Sequence, residues 1–201
     1  MSAAPLVPES DDLGVLAAAA AGCTGCPLYR DATQTVFGEG RTRPALMLVG
    51  EQPGDHEDRK GHPFVGPAGG VLWGCLREAD ISPDDVYTTN AVKHFKFEVR
   101  GKRRIHQRPT TWEIEACHPW LSAELQAVRP RVVVALGAVA ARSIFGKTVS
   151  IGGSRGVAHD LDVGPVFVTY HPSAVLRADD RAQEVRSALV ADLVMARKAA
   201  G

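Results

Sequence analysis

The feature that most restricts the fold is the alternation of short apolar runs with amphipathic stretches. The apolar runs have the length of buried strands and lie at 45–50, 86–90, 131–137 and 165–171. The amphipathic stretches predict helices at roughly 68–80, 111–128 and 138–145, with a closing helix near 179–199. Strands separated by helices pair in parallel and carry helices on both faces. The sequence therefore predicts an α/β fold, a three-layer α/β/α arrangement around a central four-stranded parallel sheet, as a single domain over 1–201.

The predicted sheet also predicts where a ligand would bind, because open parallel sheets bind ligands beyond the carboxyl ends of their strands. The first strand is followed by the glycine-rich segment 50–70, the second by "NAVKHFKF" (90–97) and the fourth by "YHPS" (170–173). The third is followed by "GAVAA", which predicts ordinary strand-to-helix packing. The chain contains neither a Walker A sequence nor GxGxxG, so a nucleotide cofactor has no specific support.

Charge is distributed unevenly along the chain. The formal net charge is zero, yet 93–108 contains seven lysine or arginine residues and one acid, Glu98. Phe95 and Phe97 alternate with these charges, a pattern typical of nucleic-acid grooves. A solvated surface run is the alternative interpretation.

The amino-terminal segment and the cysteines indicate the compartment. "DDLGVLAAAAAGC" is too short to span a bilayer, and it lacks the basic start of a secretory signal. We expect a short helix capped by Asp11 or Asp12. A cytoplasmic location is therefore predicted, in which the four cysteines serve as ligands or buried thiols rather than disulfides.

Four motifs in order resemble the uracil-DNA glycosylase superfamily, and in particular its iron–sulfur members. They are "GEQPG" after the first strand, "PFVGPAG" next, "TNAVK" after the second strand and "HPS" after the fourth. The similarity extends from Cys23 to about Leu176. It implies the glycosylase fold and the removal of uracil from DNA, a reaction in which the base leaves the stack.

The resemblance assigns the base-binding groups. Phe64 would stack on uracil and the Asn90 amide would pair with its hydrogen-bonding edge, with Gly54 allowing close backbone approach. Gly66 and Gly69 would act in the same way. Outside the motifs, Phe64 would be interpreted as a core residue and Asn90 as a turn residue.

The resemblance also assigns catalytic groups. His171 would donate a hydrogen bond to the departing uracil anion, and Glu51 would stabilise the sugar cation or orient a nucleophile. Gln52 occupies the place where other members carry a water-activating aspartate, so simple water activation is in doubt. Ser173 would bind a phosphate, and Leu176 (or Val175) would fill the gap left by the flipped base.

A [4Fe–4S] cluster is implied as cofactor. Cys23 and Cys26 have metal-ligand spacing in "CTGC", and Cys117 in "EACHPWL" matches the last ligand of the iron–sulfur members. Those members place the remaining cysteine where this chain has His94, so His94 is the expected fourth ligand. Cys75 is the alternative, and a zinc site would use the same ligands.

The segment "KRRIH" resembles the X-type glycosylases, a subgroup that becomes covalently attached to its DNA. Lys102, Arg103, Arg104 and Arg108 would then bind phosphates, and His106 would capture the electrophilic sugar carbon. The expected partner is uracil-containing DNA, including single-stranded DNA, with no membrane association and a monomeric protein. A conventional hydrolytic glycosylase and a non-catalytic iron–sulfur DNA-damage or redox sensor are the alternatives.

Overall fold

The computed structural model describes all 201 residues and contains seven strands and eight helices. The strands are β1 (Leu46–Gly50), β2 (Val86–Asn90), β3 (Phe97–Arg100), β4 (Arg103–His106), β5 (Val132–Leu136), β6 (Ala158–Leu161) and β7 (Gly164–Thr169). The helices are α1 (Leu13–Ala20), α2 (Asp55–Lys60), α3 (Pro67–Glu78), α4 (Thr111–Val128), α5 (Ala138–Phe145), α6 (Ile151–Ser154), α7 (Ser173–Leu176) and α8 (Ala182–Ala200). None of the helices is both long and apolar enough to cross a membrane.

The central sheet has the strand order β2-β1-β5-β7-β6. The first four strands in this order are parallel, as predicted, and Gly50 of β1 lies level with Asn90 of β2. The predicted α/β fold is therefore confirmed, with one difference. A fifth strand, β6, adds antiparallel to β7. Its sequence, "AHDL", lacks the apolar run of a buried strand because it is half exposed at the sheet edge.

The basic segment forms a two-stranded hairpin of β3 and β4, which the sequence analysis did not predict. Phe97 pairs with His106, and Arg100 pairs with Arg103 at the turn. Gly101 in this turn has φ +61°, a left-handed conformation that glycine adopts without strain. His106 is therefore the last residue of a strand rather than part of an irregular loop.

The helices begin where local capping dictates. Asp12, one of the two predicted caps, accepts the backbone N–H of Gly14 at 2.7 Å and begins α1. Thr110 and Glu113 form a reciprocal capping box at the start of α4. The closing helix starts three residues after the predicted position because 179–181 forms a separate 3-10 turn.

Two apolar layers cover the two faces of the sheet. Met47 and Val49 of β1 point into one layer, and Leu46 and Leu48 point into the other, as alternation in a strand requires. Helices α1, α4 and α5 cover the first face, while α3 and α8 cover the second. The cysteines are divided between these layers: Cys75 belongs to the second layer, and the other three cysteines belong to the first.

Candidate active site and candidate metal centre

The carboxyl ends of the parallel strands open into one cleft with a volume of about 790 Å³. Each of the four parallel strands contributes residues at or directly after its end, as expected for an open α/β sheet. Sequence-predicted residues that line the cleft are Glu51, Gln52, Gly54, Phe64, Asn90, His106, Arg108, His171, Ser173 and Leu176. Lys102, Arg103 and Arg104 do not line it and lie on the hairpin.

Phe64 and Asn90 meet at Gly50, the last residue of β1. A Cβ added to Gly50 would come within 2.3 Å of Asn90 Oδ1 and 2.7 Å of Phe64 Cζ. The aromatic ring and the amide therefore stand side by side, and only glycine at position 50 leaves room for both. A flat apolar surface beside an amide is the arrangement that a planar base with a hydrogen-bonding edge requires.

The Asn90 side chain has no hydrogen-bond partner within the protein. The residue is only 3% exposed, yet none of its polar side-chain atoms is sealed from solvent. Its amide therefore faces the cleft and remains available to a ligand as both donor and acceptor.

Contacts with Ser173 determine which nitrogen of the neutral His171 ring carries the proton. The Ser173 backbone N–H donates to Nδ1 at 3.1 Å, and the Ser173 hydroxyl lies 2.7 Å from the same nitrogen. Nδ1 is therefore an acceptor, and the ring proton is on Nε2. Burial, together with the charges of Arg177 and His106, lowers the pKa of His171 to about 4. Ser173 thus orients His171, and its phosphate contact stays a prediction.

Glu51 and His106 face each other across the cleft. The Nε2 atom of His106 lies 3.5 Å from Oε1 of Glu51. Burial lowers the pKa of His106, and the nearby Arg177 guanidinium lowers it as well. Burial raises the pKa of Glu51, while Arg108 and Arg177 act in the opposite direction. An imidazole of this kind keeps a nucleophilic lone pair at neutral pH.

Gln52 uses its amide to hold the base of the hairpin. Its Nε2 donates to the carbonyl oxygens of Lys96 and Gln107 at 3.2 and 3.0 Å, and its Oε1 accepts the Lys96 backbone N–H at 3.1 Å. The amide is therefore fully engaged with backbone groups on both sides of the hairpin. These contacts suit a positioning residue for His106 rather than the catalytic role predicted from the sequence.

Arg104 points toward the protein body, which requires a correction of its predicted DNA contact. Its guanidinium pairs with Asp55 and, at 2.6 Å, with the fully buried Asp58. It also lies 4.9 Å from the ring centre of Phe97. Its charge is already neutralised by acidic partners, so Arg104 anchors the hairpin. Exposed basic residues that remain for phosphates are Lys102, Arg103 and Arg108.

Three predicted cysteine ligands lie together in one apolar layer, and two of them receive N–H donors. Trp120 Nε1 lies 3.2 Å from Cys23 Sγ, and the Lys93 backbone N–H lies 3.3 Å from Cys117 Sγ. Burial raises the pKa of Cys117 to about 12 and raises that of Cys26. A thiolate at these positions therefore needs a cation to stabilise it, which is the situation of a metal ligand.

His94 is buried, and its tautomer is fixed by Thr35. The Thr35 hydroxyl donates its only proton to the Ala20 carbonyl oxygen at 2.9 Å. His94 Nε2, 3.0 Å from the same hydroxyl oxygen, must therefore be a donor, which leaves the lone pair on Nδ1. This is the form of a histidine that binds a metal. No three histidine, cysteine or acidic side chains converge on a single-ion site. Ligands of a four-iron cluster bind different iron atoms and therefore stand further apart.

Comparison with known proteins decides the family. The family model described as the Uracil DNA glycosylase superfamily matches residues 37–194. A type-4 uracil-DNA glycosylase of Thermotoga maritima is 41% identical over 178 residues, which is 87% of this chain and 88% of that protein. The chain belongs to the uracil-DNA glycosylase superfamily. The resemblance found in the motifs is confirmed at this level.

Other members of the superfamily match over a similar range. A type-4 uracil-DNA glycosylase of Archaeoglobus fulgidus is 34% identical over 82% of this chain and 83% of that protein. A type-5 uracil-DNA glycosylase of Pyrobaculum aerophilum is 34% identical over 67% of this chain and 63% of that protein.

Three groups in the cleft of this superfamily member were missed by the sequence analysis. Gly137, at the end of β5, has φ +88°, and a Cβ there would lie 2.9 Å from His171 Cβ. The segment interpreted as plain packing therefore makes room for His171. Glu57 accepts the backbone N–H groups of Gly66 and Gly54 at 2.8 and 3.1 Å and joins two motif loops. Arg177 lines the cleft without an ion-pair partner, and no local pattern marks it.

Proposed function

We propose that this protein excises uracil from DNA and becomes covalently attached, through His106, to the sugar that remains. The excision is supported by the relatives, which are named as uracil-DNA glycosylases. The attachment is supported by one observation above all: His106 Nε2 lies 3.5 Å from Glu51 in the cleft that also contains Asn90 and His171. A nucleophile held at the reacting carbon competes effectively with solvent water.

In the proposed first step, the C1′–N1 bond of the flipped nucleotide breaks and its electron pair leaves with uracil. Phe64 stacks on the base, and the unpaired amide of Asn90 binds its edge. The Nε2–H of His171 donates to a uracil oxygen and stabilises the anion. The low pKa of His171, about 4, keeps this donor neutral.

In the second step, Nε2 of His106 attacks the C1′ cation, which the Glu51 carboxylate stabilises. The new N–C1′ bond uses the lone pair of Nε2 and leaves a positive imidazolium. Loss of the Nδ1 proton to water restores neutrality, and the uracil anion takes up one proton. The nitrogen that faces Glu51 is the attacking one, so Glu51 acts on the sugar cation and not on the second ring nitrogen.

The DNA is held by exposed cations beside the cleft. Lys102, Arg103 and Arg108 are exposed and free of ion pairs, and they suit phosphates of single-stranded DNA as well as duplex. Leu176 is 53% exposed at the rim of the cleft, whereas Val175 is buried. This exposure favours Leu176 as the residue that fills the gap left by the flipped base.

We also propose a [4Fe–4S] cluster held by Cys23, Cys26, Cys117 and Nδ1 of His94. These donors fit because all three thiols are buried, two of them receive N–H groups, and the imidazole has its lone pair on Nδ1. When bound, the cluster supplies iron–ligand bonds that cross-link the amino-terminal segment to α4. Cys75 belongs to the apolar layer on the opposite face of the sheet, which argues against it as a ligand.

The test is denaturing electrophoresis with a uracil-containing oligonucleotide. We expect a one-to-one adduct that survives detergent and heat, and no adduct with thymine in place of uracil. His106→Ala should abolish the adduct and retain uracil release, since Asn90 and His171 remain and water can enter. His62→Ala, a change of an exposed histidine outside the cleft, is the matched control. Wild-type adduct yield from His106→Ala would refute the covalent role.

Turnover with free abasic product would instead favour the hydrolytic alternative, and an absence of uracil release would favour a non-catalytic sensor. The single-domain organisation, the monomeric state and the cytoplasmic location stay predictions.

A further inference from the structure

Phe64 has a backbone conformation that bulky residues avoid. Its φ is +54°, in the left-handed region, where a side chain other than that of glycine is strained. Such strain persists only where surrounding groups hold it in place, and it concentrates at functional sites. Phe64 is also the residue whose ring lies beside Asn90 in the cleft.

Two groups of α3 hold the Phe64 carbonyl. The indole Nε1–H of Trp73 donates to this carbonyl oxygen at 3.1 Å. A Cβ added to Gly69 would lie 1.9 Å from the same oxygen, so the first turn of α3 has room for the carbonyl only because residue 69 is glycine. The carbonyl direction is thus determined by a donor on one side and by a close backbone approach on the other.

The carbonyl carbon and the Cβ of Phe64 are bonded to the same Cα, so a restraint on the carbonyl also restrains the backbone rotation that places the ring. In the left-handed conformation the Phe64 ring reaches Gly50 and stands beside the Asn90 amide. Relaxation of φ to a negative value would rotate the peptide unit and move the ring away from that position. Trp73 is half-buried and packs against the apolar layer of α3 and α8, but its N–H has no other partner.

We propose that Trp73 is a positioning residue that fixes the Phe64 ring in its base-stacking orientation by holding the Phe64 carbonyl. This inference rests on the proposed function in one respect, the stacking of uracil on Phe64. It assigns a task to a residue that neither touches the substrate nor lies at the end of a strand. The indole ring supplies packing and the indole N–H supplies the orientation, so the two contributions can be separated.

The variant Trp73→Phe removes the N–H and keeps an aromatic ring. Trp112→Phe is the matched control, because Trp112 is exposed and its indole makes no hydrogen bond. We expect Trp73→Phe to lower the single-turnover rate of uracil release about tenfold, in line with the loss of one partly buried hydrogen bond that restrains a strained residue. Affinity for uracil-free DNA should match that of Trp112→Phe, and the melting temperature should lie no more than about 4 °C below it.

A double-mutant cycle with Phe64→Ala separates positioning from general destabilisation. If Trp73 acts through Phe64, Trp73→Phe should have no further effect on the rate in the Phe64→Ala background. An equal loss in both backgrounds, or an unchanged rate in the single variant, would overturn the proposal.

A crystal structure of Trp73→Phe provides a readout that is independent of activity. We expect Phe64 to leave the left-handed region in that variant. Retention of φ near its present value would refute the inference whatever the substrate. Failure of the wild-type protein to release uracil would refute the proposed function. The role of Trp73 would then be decided by the backbone conformation of Phe64 in the Trp73→Phe structure.

Discussion

Replacement of Arg104 by methionine removes the guanidinium that joins the basic hairpin to α2. Arg104 is the only cationic partner of Asp58, whose side chain is fully buried. After the change, the only hydrogen-bond donor left to the Asp58 carboxylate would be the backbone N–H of Thr33, at 3.0 Å. The neighbouring Arg103 is exposed and pairs with no acid, so Arg103→Met is a matched control.

The magnitude follows from the burial of the pair. Removal of one partner from a buried ion pair costs about 3–5 kcal/mol, because the other charge stays buried and unpaired. Arg104 itself is 15% exposed, so the lower end, about 3 kcal/mol, is appropriate. Its guanidinium also stacks on Phe97, which adds about 1 kcal/mol. Methionine retains part of the apolar contact and offsets some of this second loss.

The assay combines urea denaturation with adduct formation on uracil-containing DNA. Arg104→Met should lower the free energy of unfolding by about 3 kcal/mol. If this whole free energy is lost from the docking of the hairpin, the adduct rate should fall by about 100-fold, since 1.4 kcal/mol is a factor of ten. Uracil release should fall less, because Asn90 and His171 lie outside the hairpin. Arg103→Met should leave stability unchanged and reduce the salt dependence of DNA binding.

The double variant Arg104→Met with Asp58→Asn removes the stranded charge and should recover most of the lost stability. Equal behaviour of Arg104→Met and Arg103→Met in both assays would show that Arg104 contacts DNA, as the sequence suggested, and would refute its anchoring role.

Three further predictions concern recognition, the cofactor and pH. Asn90→Ala should lower the rate of uracil excision at least tenfold, about the effect of a lost base contact. DNA affinity at a given salt concentration should stay unchanged, and equal losses of rate and affinity would mean that Asn90 is structural. Cys117→Ala should lose iron and the broad visible absorbance of the purified protein, whereas Cys75→Ala should keep both, and the reverse would overturn the ligand set. Because burial lowers the pKa of His106, the imidazole stays neutral below its ordinary pKa of about 6.5. The adduct rate should therefore be level from about pH 8 down to about pH 6.5 and fall only at lower pH. A midpoint of the pH profile above about 6.5 would contradict this reasoning.

The sheet could be predicted because strands buried on both faces leave near-continuous apolar runs. Helix α4 was predicted at roughly 111–128 from its amphipathic pattern and spans Thr111–Val128, with a capping box at its start. Strand β6 and the β3–β4 hairpin were not predicted, because their residues are largely polar and their pairing depends on neighbours distant in sequence. Propensity alone does not specify such edge and surface strands.

The cleft residues could be predicted as a group but not in their individual tasks. The motifs placed Gln52, Ser173 and Arg104 at the site, yet their partners are backbone amides, a histidine nitrogen and two acids. Residue type gives the chemistry that a side chain can perform, while its direction depends on packing. Gly137 carries its own signal, a glycine directly after a buried strand, which indicates close approach of another segment.

The buried pair of Lys93 and Glu124 connects the candidate metal centre to the recognition edge of the cleft. Both side chains are fully buried, and such pairs add little net stability compared with apolar residues of similar size. Their value must therefore lie in the geometry that they fix. The Lys93 ammonium donates to the Asn90 carbonyl oxygen at 2.8 Å, while the Lys93 backbone N–H points to Cys117 Sγ. Glu124 lies two turns after Cys117 on α4 and also accepts the Thr89 hydroxyl at 2.9 Å. Lys93 thus connects the backbone carbonyl of Asn90, at the end of β2, to the helix that carries a predicted ligand.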